Sequence, residues 1–540
     1  MFLQLTPLRC LHRAADLFGA RIGVVCGQRE FTYREFKARC ERLATALSGL
    51  GIAPGDRVAY ISFNNHQLLE GYFGVLQARA VLLPLNVRLA EPELATILEH
   101  AKPRIVIFEE EFLPLVERLR PLCSYVTHWV GIGCGDISYE ELLAQGHEQH
   151  ADITTCDELA IGELFYTSGS TGTPKGVMLS HRTLYLHALD YALQYRDAST
   201  MIDLHTIPLY HANGWGRPQA STMLGTKQVL VRRFHAEHVF RLIQTHRATD
   251  ICLVPTMASA LLDSAALSTF DLTSLRHVHI GGAASSPELV SRVERAFPGC
   301  ECSSGYGLTE TGPVLTHSEP KAAIRMPDAA RYRRQSQTGW ALPGVTLRVV
   351  DSHMLDVPRD GVTVGEVVAM GDHVMDGYFA DPDATRAAFS GAWFHTGDMA
   401  VWEPDGYINI VDRKKQIIIS GGENISSVEV ETAIAEHPAV LECAVVAAPD
   451  EHWGEVPAAI VVVKEGQSMT AGELLEFLRP RLAKFKLPRI VEFSTEPLPK
   501  TGTGKVRKVE LRERFKKVEL RERFIKVELG ERFKGPPPRQ

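Results

Sequence analysis

Short apolar runs alternate with segments of helical spacing along roughly the first 300 residues of the chain. The runs RIGVVC, RVAYISF and PRIVIFEE are rich in β-branched residues and bounded by Gly, Pro or charge, which predicts strands. Between them, YREFKARCERLATALSGLG carries apolar residues at helical intervals and ends in glycine, which predicts a helix over residues 33–51. Strands that alternate with helices predict an α/β fold of parallel sheets covered on both faces.

The pattern changes near Gly339, where strand-like runs follow one another with short turns. TLRVVD, GEVVAM, GYINIVD and KQIIIS predict a small β-rich unit. After Asp412 strand-like and helical segments alternate again, with predicted helices over 427–436 and GELLEFLRPRLA. We therefore expect a domain boundary near residues 410–415.

The end of the chain is repetitive. KVELRERF at 508–515 recurs at 517–524 and, as KVELGERF, at 526–533. A nine-residue period turns an α-helix by about 900°, so successive copies aim their apolar residues at opposite sides. Only one copy can pack on a given face. We expect the later copies, over residues 516–540, to form a solvated, charged tail, with anionic membrane or protein contact as the alternative.

Composition narrows the class of protein. A chain of 540 residues is too long for one core, and its net charge of −7 gives no general attraction to nucleic acid. The ten cysteines have no CxxC pairing, which argues against a zinc site built on them and against a secreted disulfide framework. No signal-peptide pattern or long apolar stretch is present, so we expect a soluble, cytoplasmic protein without a transmembrane segment.

The first candidate site is the loop Thr167 to Gly176 within FYTSGSTGTPKGVMLSH. Its glycines allow backbone N–H groups to converge on an anion, and its hydroxyls and Lys175 add donors and charge. A flexible linker has a similar composition, but this loop lies between apolar segments. It is not a Walker A loop, because its lysine follows a proline. The residues alone predict a phosphate-binding loop.

Other segments carry compatible chemistry. In SSGYGLTETGP, Tyr306 can stack on a flat ring, and Thr309 with Glu310 suits Mg²⁺, which prefers oxygen ligands. Asp398 in FHTGDMA precedes Arg413 by fifteen residues, and such a carboxylate can accept the hydroxyls of a ribose while the arginine donates to them. A further segment, PLPKTGTGKVRK, contains a Gly/Thr loop that ends at Lys505.

These four elements, in this order and spacing, resemble those of the adenylate-forming ligases. That family includes acyl-CoA synthetases, 4-coumarate ligases, firefly luciferase and peptide-synthetase adenylation domains. The resemblance covers residues 10–515. It implies a large N-terminal domain of two α/β lobes plus a β-subdomain over 1–412, and a smaller, mobile α+β C-terminal domain over 413–515. It also implies ATP, a carboxylic acid and CoA as substrates, and Mg²⁺ bound with ATP.

The resemblance assigns roles residue by residue. Lys505, Glu310 and Thr309 are implied as catalytic, Thr167 and Glu310 as neighbours of Mg²⁺, Lys415 as the hinge, and the segment Ser420, Gly421 and Gly422 as the approach of the CoA thiol. The implied ATP-binding residues are Thr167, Ser168, Gly169, Ser170, Thr171, Gly172, Lys175, Gly282, Ser304, Gly305, Tyr306, Thr309, Asp398, Arg413 and Lys505.

The acid site is implied less specifically, by IPLYHANGWGRP with His211 and Trp215. A tryptophan at a similar place gates the acyl tunnel in fatty-acyl-CoA synthetases, so the favoured substrate is a medium- or long-chain fatty acid. The alternatives are a short-chain, branched or aryl acid, transfer of the acyl group to a carrier protein, and a non-catalytic nucleotide-binding relative. The last predicts loss of Lys505, Glu310 or Asp398, which are all present. Peripheral membrane contact and a homodimer stay open.

Overall fold

The computed structural model of the protein describes residues 3–168, 174–194, 200–318, 326–414, 416–420, 423–450, 452–500, 506–516 and 525–526. Helices and strands follow the predicted alternation. The helices are α1 Leu8–Phe18, α2 Tyr33–Gly49, α3 His66–Gln77, α4 Glu91–Ala101, α5 Leu113–Leu119, α6 Tyr139–Gln145, α7 His181–Ala192, α8 Arg217–Leu224, α9 Ala236–His246, α10 Pro255–Leu262, α11 Pro287–Ala296, α12 Asp328–Ser336, α13 Pro382–Ala388, α14 Ser427–Ala435, α15 Ala471–Leu478 and α16 Lys508–Lys516.

A nine-stranded sheet has a parallel centre with antiparallel strands at both edges. Its strands, in spatial order, are β16 Trp340–Ala341, β15 Thr316–His317, β14 Glu301–Tyr306, β13 His277–Ile280, β12 Asp250–Leu253, β10 Ile202–His205, β11 Lys227–Leu230, β1 Ile22–Cys26 and β2 Arg29–Thr32. One core cluster packs Val229, Phe240, Ile251, Val278 and Val290 between this sheet and its helices.

An eight-stranded sheet forms the second α/β lobe. In spatial order its strands are β19 Gly377–Tyr378, β9 Pro174–Ser180, β8 Ile161–Ser168, β4 Val81–Pro84, β3 Arg57–Ile61, β5 Ile105–Glu109, β6 His128–Ile132 and β7 Ile137–Ser138. The pairs from β8 to β7 are parallel, whereas β9 pairs antiparallel with both β8 and β19. The antiparallel strands β8 and β9 carry the two ends of the candidate phosphate loop, Thr167 and Lys175.

Two smaller sheets follow. In the first, β17 Val345–Val350, β18 Val364–Gly371, β21 Trp393–Trp402 and β20 Phe389–Ser390 lie in that order, and β22 Ile408–Arg413 pairs with β21. In the second, β24 Glu423–Ile425, β23 Ile418–Ser420, β26 Gly454–Val463, β27 Ile490–Ser494 and β28 Ile525–Lys526 lie in order, and β25 Val440–Asp450 pairs with β26.

The chain divides into two compact units. The first comprises residues 1–348, 367–396 and 403–409, and the second comprises 349–366, 397–402 and 410–540. The first holds the nine- and eight-stranded sheets, and the second holds the sheet of β23–β28 with α14, α15 and α16. The predicted mixed α/β fold with a large N-terminal part and a smaller C-terminal part is confirmed. No helix of the described residues is long and apolar enough to span a membrane.

Local signals set most boundaries. Thr32 and Glu35 form a reciprocal cap that begins α2, and the helix ends at Gly49, near the predicted residue 51. The helix predicted over GELLEFLRPRLA instead ends at Leu478, before Pro480, which has no N–H to continue the helical hydrogen bonds.

The first copy of the repeat buries only part of its apolar set. In α16, Leu511 and Phe515 are buried against β25 and β26, while Val509 is exposed. The expected solvated tail is wrong in one respect, because the backbone of Ile525 and Lys526 pairs with β27 as β28.

Candidate active site

The ends of β8 and β9 hold the base of the predicted phosphate loop. These strands pair antiparallel, so Thr167 lies directly across from Lys175 on the same face of the sheet. The Lys175 ammonium lies 4.7 Å from the centre of the Tyr378 ring, a distance suited to a cation–π contact. Gly169, Ser170, Thr171 and Gly172 lie outside the described residues, as does the side chain of Ser168.

Glu310 lies in a single helical turn, Thr309–Thr311, between β14 and β15. The Tyr378 hydroxyl donates to Glu310 Oε1 at 3.0 Å, and the Met375 N–H donates to the Glu310 carbonyl at 2.8 Å. Burial is the main cause of a raised pKa of Tyr378, and the nearby Glu310 carboxylate adds to it. The Tyr378 hydroxyl therefore keeps its proton and acts as a donor. The structure thus brings Lys175 and Glu310 to the same tyrosine, Lys175 at its ring and Glu310 at its hydroxyl.

Ser304, Gly305 and Tyr306 end β14, and Gly282 follows the neighbouring strand β13. Parallel strands bring such carboxyl ends to one edge of a sheet, where α/β folds bind ligands. Ser304 Oγ lies 2.8 Å from Ser285 Oγ, and its N–H donates to Ser318 Oγ at 2.7 Å. A Cβ added at Gly281 would lie 3.2 Å from the Gly305 carbonyl oxygen and 3.0 Å from the Trp215 ring. The predicted ATP residues Gly282 and Gly305 therefore lie beside the predicted acid residue Trp215.

Trp215 belongs to a left-handed turn that follows His211. Residues 212–216 have φ values of 45°, 54°, 52°, 60° and 71°, in the region that only glycine adopts without penalty. Gly216 has a further reason to be glycine, because a Cβ there would lie 2.2 Å from a carbon of the His187 ring. The Gly214 N–H donates to the His211 carbonyl at 3.0 Å and closes the turn.

His187 is a site residue that the sequence motifs do not indicate. Its Nε2 accepts the Val314 N–H at 3.1 Å, next to the turn of Glu310. Burial, and then the nearby His373, lowers the pKa of His187 well below its ordinary value, so the ring is neutral. His373 in turn lies 3.1 Å from Asp190 through Nε2 and 3.1 Å from the Thr311 carbonyl through Nδ1.

Beneath the left-handed turn lies a buried ion pair, also absent from the motifs. Arg217 Nε donates to Asp203 Oδ2 at 2.8 Å, and the Ser221 hydroxyl donates to the same oxygen at 2.6 Å. His205 Nε2 lies 3.2 Å from it. Burial opposes ionisation of Asp203, but the positive charge of Arg217 dominates and lowers its pKa. This pair anchors α8 immediately after Trp215.

Within the second unit, the structure brings together the predicted ribose residues. Asp398 on β21 is buried, and Arg413 at the end of β22 places its Nε 2.6 Å from Asp398 Oδ1. Beside them, Lys414 pairs with Glu366 at 3.0 Å. Ser420 is buried at the end of β23. Lys415, Gly421, Gly422 and Lys505 lie outside the described residues.

Comparisons with known proteins show which family the chain resembles. The family model described as "AMP-binding enzyme" matches residues 11–379, and "AMP-binding enzyme C-terminal domain" matches residues 429–505. A long-chain-fatty-acid–CoA ligase of Thermus thermophilus is 40% identical and covers 94% of this chain and 95% of its own. The peroxisomal acetate/butyrate–CoA ligase AAE7 of Arabidopsis thaliana is 37% identical, covering 95% of both chains. The crystal structure of the anthranilate CoA ligase AuaEII with anthranoyl-AMP has a TM-score of 0.86 at 27% identity, covering 95% of this chain and 98% of its own.

Proposed function

Because the chain belongs to the AMP-binding enzyme family, the adenylate-forming ligases, we propose that it is an acid:CoA ligase whose acid is a medium- or long-chain fatty acid. The carboxylate attacks the α-phosphate of ATP, which forms acyl-AMP and releases pyrophosphate. The CoA thiol then attacks the acyl carbon and releases AMP. The observation that carries the proposal is the placement of Lys175 and Glu310 about one tyrosine, together with the match of the whole chain to CoA ligases.

The proposed nucleotide site uses the residues named from the sequence. The loop between Thr167 and Lys175 holds the phosphates, Ser304, Gly305 and Tyr306 with Gly282 hold the adenine, and Asp398 with Arg413 holds the ribose. The contact between Asp398 and Arg413 supports this role, since the pair presents acceptor and donor together at 2.6 Å. Thr309, which is buried beside Glu310, contacts the phosphates.

The proposed metal is Mg²⁺, bound with ATP by Glu310 and Thr167. Both side chains offer oxygen, the ligand that Mg²⁺ prefers. Tyr378 donates to one carboxylate oxygen of Glu310 and leaves lone pairs on the other for a cation. When bound, Mg²⁺ offsets the negative charge of the phosphates.

Lys505 is the proposed catalytic lysine, which stabilises negative charge on the α-phosphate and the bridging oxygen during attack. Lys415 is the proposed hinge, and Ser420, Gly421 and Gly422 form the proposed approach for the pantetheine arm. Glycines there allow a ligand to come close to the backbone.

Trp215 and His211 are the proposed acid-binding residues. The left-handed turn supports a gating role for Trp215, because glycines on both sides, at 214 and 216, leave its ring without bulky neighbours in the chain. The similarity to the Thermus thermophilus long-chain-fatty-acid–CoA ligase favours a long aliphatic acid.

A short-chain or aryl acid is the second candidate, and one observation favours it. The Trp215 ring lies against Gly281 and Gly282, so it fills the space beside the end of β13. A ring that stays in this position would narrow an acid site there, which would favour a small acid. The similarity to AAE7 and to AuaEII supports this candidate.

One experiment separates these candidates. Purified protein is incubated with ATP, Mg²⁺ and acids from acetate to palmitate plus benzoate, with and without CoA, while AMP and pyrophosphate are measured. We expect CoA-dependent AMP release to be highest with medium- or long-chain acids. A preference for acetate, butyrate or benzoate would replace the first candidate with the second. Acyl-AMP that never reaches CoA would favour a carrier-protein acceptor, and absence of AMP with every acid would refute the ligase assignment.

A further inference from the structure

Outside the candidate active site, two imidazoles and a carboxylate lie close together. They are His12 on α1, Glu41 on α2 and His150, which follows α6. Each offers one potential ligand atom, and these three atoms lie within 4.8 Å of one another. The rings of His12 and His150 are stacked, with their centres 4.1 Å apart.

His150 is held at this place by its neighbours in the chain. Thr45 Oγ1 on α2 donates to the His147 carbonyl and accepts the His147 N–H, both at 2.9 Å. On the other side, Gln77 Nε2 on α3 donates to the Gln149 carbonyl at 2.7 Å. The backbone before His150 is therefore fixed to two helices, while the imidazole itself is 65% exposed and can adjust.

The two helical residues are buried, and one potential ligand atom among them has no partner among the residues that the structure describes. His12 is 6% exposed, and within the described part of the chain its Nε2 is buried without a hydrogen-bond partner. Glu41 is 3% exposed and is held by Lys37 at one oxygen, Oε1.

We propose that His12, Glu41 and His150 bind a divalent transition-metal ion such as Zn²⁺. Two imidazoles and a carboxylate are a ligand set that Zn²⁺ takes, with water as the fourth ligand. Tetrahedral ligands about 2.0–2.1 Å from the ion lie roughly 3.4 Å apart, so the atoms must close by about an ångström. Rotation of the exposed His150 side chain supplies this movement. Its Nδ1 already lies 3.9 Å from Glu41 Oε1, the oxygen that Lys37 also contacts.

Such an ion would tie α1, α2 and the segment after α6 together. The proposal is independent of the proposed catalytic Mg²⁺, which prefers oxygen ligands and phosphates. None of the three residues belongs to the candidate active site, so binding at this cluster can be measured without turnover.

The test is a calorimetric titration of the full-length protein with Zn²⁺, after a chelator has removed bound metal. We expect His150→Gln to weaken Zn²⁺ binding by about 100-fold, since loss of even an indirect support of a ligand weakens metal binding by about 10–100-fold. The matched control is His147→Gln, which removes an exposed imidazole three residues away and is expected to bind like the wild type.

Absorption spectra of the Co²⁺-loaded protein identify the ligands. Nitrogen and oxygen ligands give d–d bands without a thiolate charge-transfer band, which separates this cluster from the cysteines. Glu41→Gln, with its fold checked by circular dichroism, is expected to change the same bands. Zinc binding unchanged in His150→Gln, or a cobalt spectrum dominated by thiolate, would overturn the proposal.

Discussion

At the scale of single residues, Glu310 accepts a hydrogen bond from Tyr378 and is the proposed metal ligand. Substitutions of these two residues distinguish a metal-binding role of the carboxylate from a structural one. Glu310→Gln keeps the shape and the hydrogen bond but removes the charge. We expect AMP formation to fall by about 10²–10³-fold, as for loss of one preorganised electrostatic group. The half-saturating Mg²⁺ concentration should also rise.

The control is Tyr378→Phe, which leaves the carboxylate and removes only its donor. Loss of one hydrogen bond to a charged group is expected to lower the rate by about tenfold and to change the Mg²⁺ dependence little. Wild-type Mg²⁺ dependence in Glu310→Gln would show that Glu310 does not bind the metal.

The buried carboxyl group of Glu163 on β8 predicts how the stability of the fold depends on pH. Its side chain is fully buried, and burial raises its pKa well above the ordinary 4.5, outweighing the opposing hydrogen bond from Gln219. The folded chain therefore holds this proton more tightly than the unfolded chain does. The associated stability is fully present below pH 4.5 and is lost as pH rises towards the folded-state pKa.

We expect Glu163→Gln to remove this pH-dependent loss of stability, because glutamine does not ionise. Relative to the variant, the wild type should lose up to about 1.4 kcal/mol of unfolding free energy per pH unit above its unfolded-state pKa. Urea unfolding of both proteins from acidic to neutral pH measures the difference. The control is Glu237→Gln, at an exposed position. Its unfolding free energy should change with pH in the same way as that of the wild type. Parallel profiles for Glu163→Gln would contradict the prediction.

Sequence motifs predicted some of these contacts and missed others for a physical reason. Asp398 and Arg413 lie on paired strands joined by a short connection, so their meeting follows from local structure. His187, by contrast, meets Gly216 and Val314 only through the packing of separate helices and loops. No local pattern encodes such a contact.

At the scale of elements, α16 tests why one copy of the repeat is structured. Leu511 is fully buried against β25 and β26, so Leu511→Ala should lower the unfolding free energy of the second unit by about 2–5 kcal/mol. Hydrogen exchange in β25 and β26 reports this loss. Leu520→Ala, the equivalent change in the second copy, should have little effect, as should Val509→Ala on the exposed face of α16.

Equal destabilisation by Leu511→Ala and Leu520→Ala would mean that both copies pack. The expectation that they differ came from the nine-residue period, which turns successive copies to opposite sides of a helix. That argument predicted that only one copy can pack on a given face. It could not predict β28, because it assumed that the helix continues, whereas Ile525 and Lys526 pair with β27 as a strand.

At the scale of the whole molecule, the chain consists of two compact units that each carry part of the proposed cycle. Their order along the chain and their sheets follow from periodicity and turn signals. Which unit acts at each step does not follow from the sequence, because the proposed hinge would let different surfaces act in the two half-reactions. The proposed roles of Lys505 and Lys415 therefore have to be separated by kinetics.

Lys505→Ala makes that separation. If Lys505 stabilises charge only while the carboxylate attacks the α-phosphate, formation of acyl-AMP should fall by about 10²–10³-fold. Thioester formation from supplied acyl-AMP and CoA needs no such charge, so its rate should stay near that of the wild type. Arg507→Ala, which removes an exposed cation two residues later, should leave both half-reactions unchanged. Equal loss in both half-reactions would indicate that Lys505 has a structural role in the second unit. A residue that acts in one transition state only cannot slow both steps alike.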